Sequence, residues 1–363
     1  MVAFLGACGA TTLENLEVAE DPGDRTAERS GSGVTAALIL PLTGENGQRG
    51  QDVARGIDLA LSKFPSSAVN IDRFDTGSKP DQTQTVLAGL NANGKTPLIL
   101  SAGDKAVRDQ IIQQSGLHIL FEEGVGEVSG PYYFAPSRAE SVQAAIDAVE
   151  KDLQGPIVVI YPRDDDKAAE AAASLTSNVG NPLLLLAYFN DETPEAVAQK
   201  ALRLAPAAAI TALLGRSQQD VTIAGRIVKL KAGTAAHRVI ANTDWVTGPL
   251  NLNGADGVLA AGVDTRDRGL FEDLLGDGTG RASVETVLGF DLGAALASIS
   301  NSGNQDVTIE DLRTALQRPT GFRGAAGPFR FKKGGTVERA FGLYQIKNGR
   351  FEILAQPPES FQN

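Results

Sequence analysis

The stretch Val34–Phe64, VTAALILPLTGENGQRGQDVARGIDLALSKF, decides how the chain is read. Val34–Leu40 is an apolar run bounded by Gly33 and Pro41. A strand buried on both faces looks like this, because neither face needs polar side chains. The run breaks at Pro41-Leu42-Thr43-Gly44, and a polar loop, Glu45–Gln51, follows. Val53, Ile57, Ala60, Leu61 and Phe64 then recur at three- and four-residue spacing, which predicts a helix with one apolar stripe. A buried strand thus ends in a Gly-rich loop that feeds a helix. In open α/β sheets, ligands sit outside the carboxyl ends of strands, where such loops are.

Working outward, the same unit repeats. Asn70–Phe74, Pro97–Leu100 and Leu117–Phe121 read as strands, with helices over Asp81–Asn91 and Lys105–Gln114 between them. After Tyr132–Arg138 the alternation restarts, with strands at Ile157–Tyr161, Leu183–Tyr188, Ala208–Leu214 and Val239–Ala241. Such alternation predicts parallel sheets flanked by helices, and the break predicts two lobes. Val258–Gly262 is a further strand, and Leu270–Leu275, Ser283–Ile299 and Ile309–Gln317 are further helices. Thr308 with Asp311 three residues on caps the last of these. Phe329–Phe331, Ala340–Ile346 and Phe351–Leu354 alternate, and Asn348-Gly349 is a hairpin signal, so an antiparallel meander is expected at the end.

A length of 363 residues favours two domains over one core. The net charge of −11 argues against nucleic acid or an anionic membrane surface as partner, since both need basic patches. One Cys allows no intramolecular disulfide, and His118 and His237 stand far apart in no metal-like spacing. Nucleophilic catalysis through a His pair, or a zinc site, has little to build on. Gly44, Gly47 and Gly50 are not a dinucleotide fingerprint, and no phosphate-loop Lys-Ser/Thr is present. The expectation is a non-enzyme without cofactor or metal. Residues 11–32 are rich in Glu, Asp, Gly and Ser and read as a solvated tether.

Several strings carry a resemblance. Leu40-Pro41-Leu42-Thr43-Gly44, then Gly47, Gly50 and Gly56-Ile57-Asp58-Leu59-Ala60, and later Gly321–Phe331 and Gln345–Gly349, resemble type I periplasmic binding proteins. More narrowly they are similar to the branched-chain amino-acid receptors that serve ABC importers. The closing Pro357–Phe361 resembles tails of a subgroup of lipoproteins like the penicillin-binding protein activators. Leu5-Gly6-Ala7-Cys8 resembles the bacterial lipobox. These resemblances imply an α/β fold of two Rossmann-like lobes with three hinge crossings. Residues 1–32 would be signal remnant and tether, 33–135 plus 248–320 the first lobe, and 136–247 plus 321–363 the second. They imply a periplasmic protein lipid-anchored at Cys8 that captures a small polar, amino-acid-like solute for an ABC permease. The alternative they imply is an envelope lipoprotein that regulates a cell-wall synthase.

The resemblance also places a site. The loop after the first strand offers Thr43 and Glu45. The loop after the third offers Ser101, Ala102 and Gly103, with Asp104-Lys105 where the receptors carry further Ser/Thr. The next loop offers Glu122, Glu123 and Gly124. From the second lobe come Asp164, Asp244 as receiver of a ligand ammonium, and Trp245 as stacking wall or hinge packing. Together with Asp104 and Asp165, these carboxylates predict an acidic cleft suited to a cation, unless they stand on a wet rim where pairs contribute little.

Overall fold

The structure is a computed structural model and describes residues 34–63, 69–92, 98–103, 105–124, 130–231, 237–263, 282–299 and 308–361. Cys8, Asp104 and the helix expected at Leu270–Leu275 lie outside these residues.

The first sheet holds strands β1 (Val34–Leu40), β2 (Val69–Asp75), β3 (Leu98–Ser101), β4 (Leu117–Leu120) and β5 (Tyr132–Tyr133) in the order β2-β1-β3-β4-β5. Every pairing is parallel. The apolar run of β1 serves two cores, because successive side chains point to opposite faces. Ala36, Leu38 and Leu40 pack under helix α1 (Gly47–Lys63). Ala37 and Ile39 pack on the other face with Leu87 of α2 (Pro80–Ala92) and Val107 and Ile111 of α3 (Lys105–Ile111). Helix α1 begins at Gly47, inside the stretch expected to be loop. Gly50 permits this: a Cβ there would lie 2.2 Å from the Pro41 carbonyl oxygen, so only glycine lets the first turn pack on the strand end.

The chain then passes through α4 (Arg138–Val149) into a second sheet. It contains β6 (Ile157–Pro162), β7 (Leu183–Tyr188), β8 (Ile210–Leu213), β9 (Arg238–Ala241) and β10 (Leu259–Gly262). Between these strands run α5 (Asp166–Ser174), α6 (Pro194–Leu204), α7 (Gln218–Leu230) and α8 (Thr243–Thr247). Ile157 and Val159 face one core, Val158 and Ile160 the other.

Two boundaries differ from the sequence reading. Strand β10 was expected with the first lobe, yet it pairs in parallel with β9 and so belongs to the second sheet. Its run Val258–Gly262 is apolar enough for either sheet, and only the ladder decides. The C-terminal meander also splits. Helices α9 (Val284–Ala297) and α10 (Ile309–Leu316) lead to a separate three-stranded sheet of β11 (Phe322–Gly324), β12 (Gly327–Phe331) and β13 (Val337–Arg339). Phe322, Phe329 and Phe331 join the core under the first sheet, where Phe134 stacks on Phe331 at 5.8 Å. Only β14 (Gly342–Lys347) and β15 (Arg350–Ala355) extend the second sheet, whose order is β15-β14-β10-β9-β8-β6-β7. Asn348 and Gly349 turn this hairpin with φ of 52° and 68°, as the sequence predicts. The Thr308–Asp311 capping box is formed as well.

Candidate functional site: a cleft at two strand-order reversals

In each sheet the winding direction reverses once. The reversal lies between β1 and β3 in the first sheet and between β6 and β8 in the second. The loops leaving opposite sides of a reversal part from each other and leave a crevice at the carboxyl ends of the strands. A cleft of about 720 Å³ opens there and is lined from both sheets. Gly103 and Lys105 follow β3, and Phe121, Glu122 and Glu123 follow β4. From the second sheet, Lys167 stands in the first turn of α5, Arg216 follows β8, and Thr243 and Asp244 open α8. Phe121, Leu250, Val284 and Leu288 supply an apolar wall.

Of the residues named from sequence, Gly103, Glu122, Glu123 and Asp244 line this cleft. Gly124 borders a smaller neighbouring pocket together with Glu123. Thr43, Glu45, Ser101, Ala102, Asp164 and Trp245 are not among the lining residues. The Thr43 hydroxyl donates to Asp75 at 2.7 Å, which secures the loop after β1. Ser101 and Ala102 are buried in the strand end. Asp164 accepts from the Asn190 amide at 3.0 Å on the surface. Of the two alternatives for Trp245, the structure has it packed rather than walling the cleft: it is 1% exposed, and its indole N–H donates to the Gly215 carbonyl at 2.9 Å. A large ring with a satisfied donor there holds β8 against α8.

The acidic cleft is also corrected. Arg49, Lys105, Arg108, Lys167 and Arg216 line it alongside Glu122, Glu123, Asp244 and Glu285. Glu122 sits between Arg108 at 3.3 Å and Lys167 at 3.8 Å. Burial pushes its carboxyl up, and the cations around it oppose that shift. Glu123 is engaged from behind by Arg138 at 2.8 Å. Burial likewise pushes the Asp244 carboxyl up from its ordinary value, with Arg138 opposing. Among the described residues, Lys105 and Arg216 have no ion-pair partner, and both are exposed. The cations were missed from sequence because they come from four separate segments, and four of the five stand inside or at the start of helices, where a basic residue ordinarily reads as solvated surface.

Arg138 ties the two sides together. Its guanidinium reaches Glu123 Oε2 after β4, Asp165 Oδ2 at 2.7 Å before α5, and the Leu214 carbonyl at 3.1 Å after β8. Burial works to lower its pKa, and the two carboxylates more than offset this, so it stays charged. Lys167 adds a second tie, donating to the Glu123 carbonyl at 2.9 Å.

A second cavity of about 390 Å³ lies between the first turn of α4 and the three-stranded sheet. Glu140 faces Lys332, Glu338 and Arg339 there. Burial first, and then the like charge of Glu338, push the Glu140 carboxyl up from 4.5 to about 7, against Lys332 and Arg339. Because this acid has a higher pKa folded than unfolded, the folded chain binds its proton more tightly. Stability attached to Glu140 is therefore present below pH 4.5 and is lost as pH rises toward 7. Between pH 4.5 and 8, Glu140→Gln should lose about 3 kcal/mol less stability than the wild type in urea melts. Identical pH slopes for the two proteins would refute the assignment.

Among the described residues, no cluster of three or more His, Cys, Asp or Glu side chains could hold a metal, and no helix is long and apolar enough to cross a membrane.

No family model matches the chain. Solved structures resemble it along most of its length. A putative branched-chain amino acid ABC transporter protein from Rhodospirillum rubrum aligns with a TM-score of 0.68 at 16% identity, over 89% of this chain and 100% of that one. An ABC transporter substrate-binding protein from Sphaerobacter thermophilus aligns with a TM-score of 0.66 at 18% identity, over 89% and 97%. A solute-binding protein of an ABC transporter from R. palustris, in complex with 4-hydroxybenzoate, aligns with a TM-score of 0.62 at 15% identity, over 91% and 97%. With two reversing sheets, a cleft at their strand ends and these near-complete alignments, the chain has the fold of the type I periplasmic binding proteins.

Proposed function

We propose that the chain is an extracytoplasmic solute-binding protein that holds a small polar, carboxylate-bearing ligand between its two lobes for delivery to an ABC permease. The observation that carries this is a pair of exposed cations without an ion-pair partner among the described residues, Lys105 after β3 and Arg216 after β8, lining one cleft that also holds buried Glu122 and half-buried Asp244. A ligand carboxylate would meet Arg216 and Lys105, where charge-assisted hydrogen bonds are strong. An ammonium or hydroxyl would donate to Asp244. The apolar wall of Phe121, Leu250 and Leu288 would take a hydrocarbon body. This suits an amino acid or a hydroxy acid and disfavours the bare cation expected from sequence. The similar structures whose names mention branched-chain amino acids and 4-hydroxybenzoate support the same ligand chemistry. The role is capture and release rather than turnover, with closure driven by the ligand's contacts to both lobes. Anchoring through Cys8 in the bacterial envelope belongs to the same proposal.

A second reading, regulation of a cell-wall synthase, draws on Lys167. It already spans the cleft to Glu122 and the Glu123 carbonyl, so the walls hold together by intramolecular contacts alone.

Calorimetry against amino acids, hydroxy acids and polyamines separates these readings. Binding of an acid should weaken about 10- to 100-fold in Arg216→Ala with an unchanged melting temperature. Absence of binding by every acid sinks the capture reading and leaves the regulator. Tight binding of polyamines alone would restore the cationic ligand.

A further inference from the structure

The second sheet ends on β7, whose sequence is LLLLAY, and among the described residues this strand pairs with β6 alone. The Ile157 N–H donates to the Pro182 carbonyl at 2.9 Å, and the Arg163 N–H to the Tyr188 carbonyl at 2.8 Å. Parallel ladders use alternate residues, so the even-numbered positions of β7 turn their backbone groups to β6. The N–H and C=O of Leu183, Leu185 and Ala187 therefore turn outward. Pro182 faces inward and removes no outward donor.

Among the described residues, the other edges of the two larger sheets are protected. Strand β2 carries Asp72, Arg73 and Asp75, β15 carries Arg350 and Glu352, and β5 is only two residues long. Charge and brevity are the ordinary means of preventing edge pairing. Strand β7 has six residues and no charge. Exposed apolar side chains also lie along it. Val179 is 51% exposed before the strand, Leu185 is 46% exposed within it, and Phe189 is 46% exposed after it.

We propose that β7 pairs antiparallel with β7 of a second copy of this chain, Leu185 opposite Leu185 and Leu183 opposite Ala187, joining two sheets into one. Three features select a second copy as occupant. The outward donor and acceptor pairs are placed symmetrically about Leu185, so a twofold axis there matches each N–H with a C=O. The register sets no like charges across the axis, because β7 itself carries no charge. The axis also sets the 46% exposed Leu185 side chain of each copy beside its twin, so the two cover one another. This inference is independent of the solute reading, because β7 contributes no residue to the cleft lining.

Sedimentation velocity of the full chain, from about 1 to 100 μM, should show a monomer–dimer equilibrium. A monomer throughout overturns the proposal. Leu185→Lys and Leu185→Glu each set like charges across the axis and should weaken self-association about tenfold or more. Mixing the two should restore a mixed dimer, because opposite charges then meet. A dimer unaffected by either substitution overturns pairing through this edge. Leu185 is nearly half exposed, so both variants should keep the wild-type melting temperature. Hydrogen exchange of the wild type gives a reading that needs no variant. The amides of Leu183, Leu185 and Ala187 should slow as concentration rises, and no slowing refutes the pairing.

Discussion

Asp291→Leu is expected to destabilise the chain by about 4 kcal/mol, the largest loss of any single charge removal considered. Asp291 lies on α9 and is 1% exposed. Its carboxylate accepts from the backbone N–H groups of Ala325 at 2.5 Å and Ala326 at 3.1 Å, which shapes the turn between β11 and β12. Gly324 comes so close that a Cβ there would lie 2.4 Å from an Asp291 oxygen. The counter-charge is Arg339, 3.9 Å away with a side chain 0% exposed. Burial raises the pKa of Asp291 and lowers that of Arg339, and each opposes the shift of the other. Arg339 also donates to the Phe134 carbonyl at 2.9 Å and lies over the Phe134 ring at 4.5 Å. Removing the carboxylate leaves a buried guanidinium without its counter-charge and two N–H donors without acceptors, each an uncompensated desolvation. The double variant Asp291→Leu/Arg339→Met should recover about half of the loss, since the lone charge is gone and only the turn donors stay unsatisfied. Urea unfolding of the wild type, Asp291→Leu, Arg339→Met and the double variant measures this. A single-variant loss below about 1 kcal/mol, or no recovery in the double, would contradict the account.

Arg138→Leu is the second large effect, with an expected loss of about 3 kcal/mol. The figure sits at the low end for a buried ion pair because Glu123 and Asp165 keep side-chain exposures of 17% and 24%, so water takes up part of their charge. Arg138 itself is buried and touches three strand-end segments at once. Its planar fork meets one carboxylate through Nε and the other through Nη1, so Arg138→Lys, with a single ammonium, should recover less than half of the loss. Because the same contacts hold the Glu123 and Asp165 loops together, ligand affinity should fall in Arg138→Leu even where the fold is intact. A variant that melts like the wild type and binds like it would show that Arg138 ties nothing.

The sequence by itself determined the elements. Runs such as Val34–Leu40, apolar but for Thr35, and Ile157–Tyr161 are nearly continuous because both faces are covered, and that signal survives without any tertiary information. Asn348-Gly349 and the Thr308–Asp311 box were legible for the same reason, since turn and cap chemistry lies within a few residues. Four lining residues, Gly103, Glu122, Glu123 and Asp244, were legible because they follow strand ends. The tertiary structure alone decided where β10 belongs and where Phe322–Arg339 packs, because a short apolar strand fits either sheet until its partners are in place. It alone decided the sign of the cleft as well. Arg49, Lys105, Arg108, Lys167 and Arg216 are scattered through the chain, and charges that far apart in sequence add their fields only after two sheets bring them within a few ångströms of one crevice.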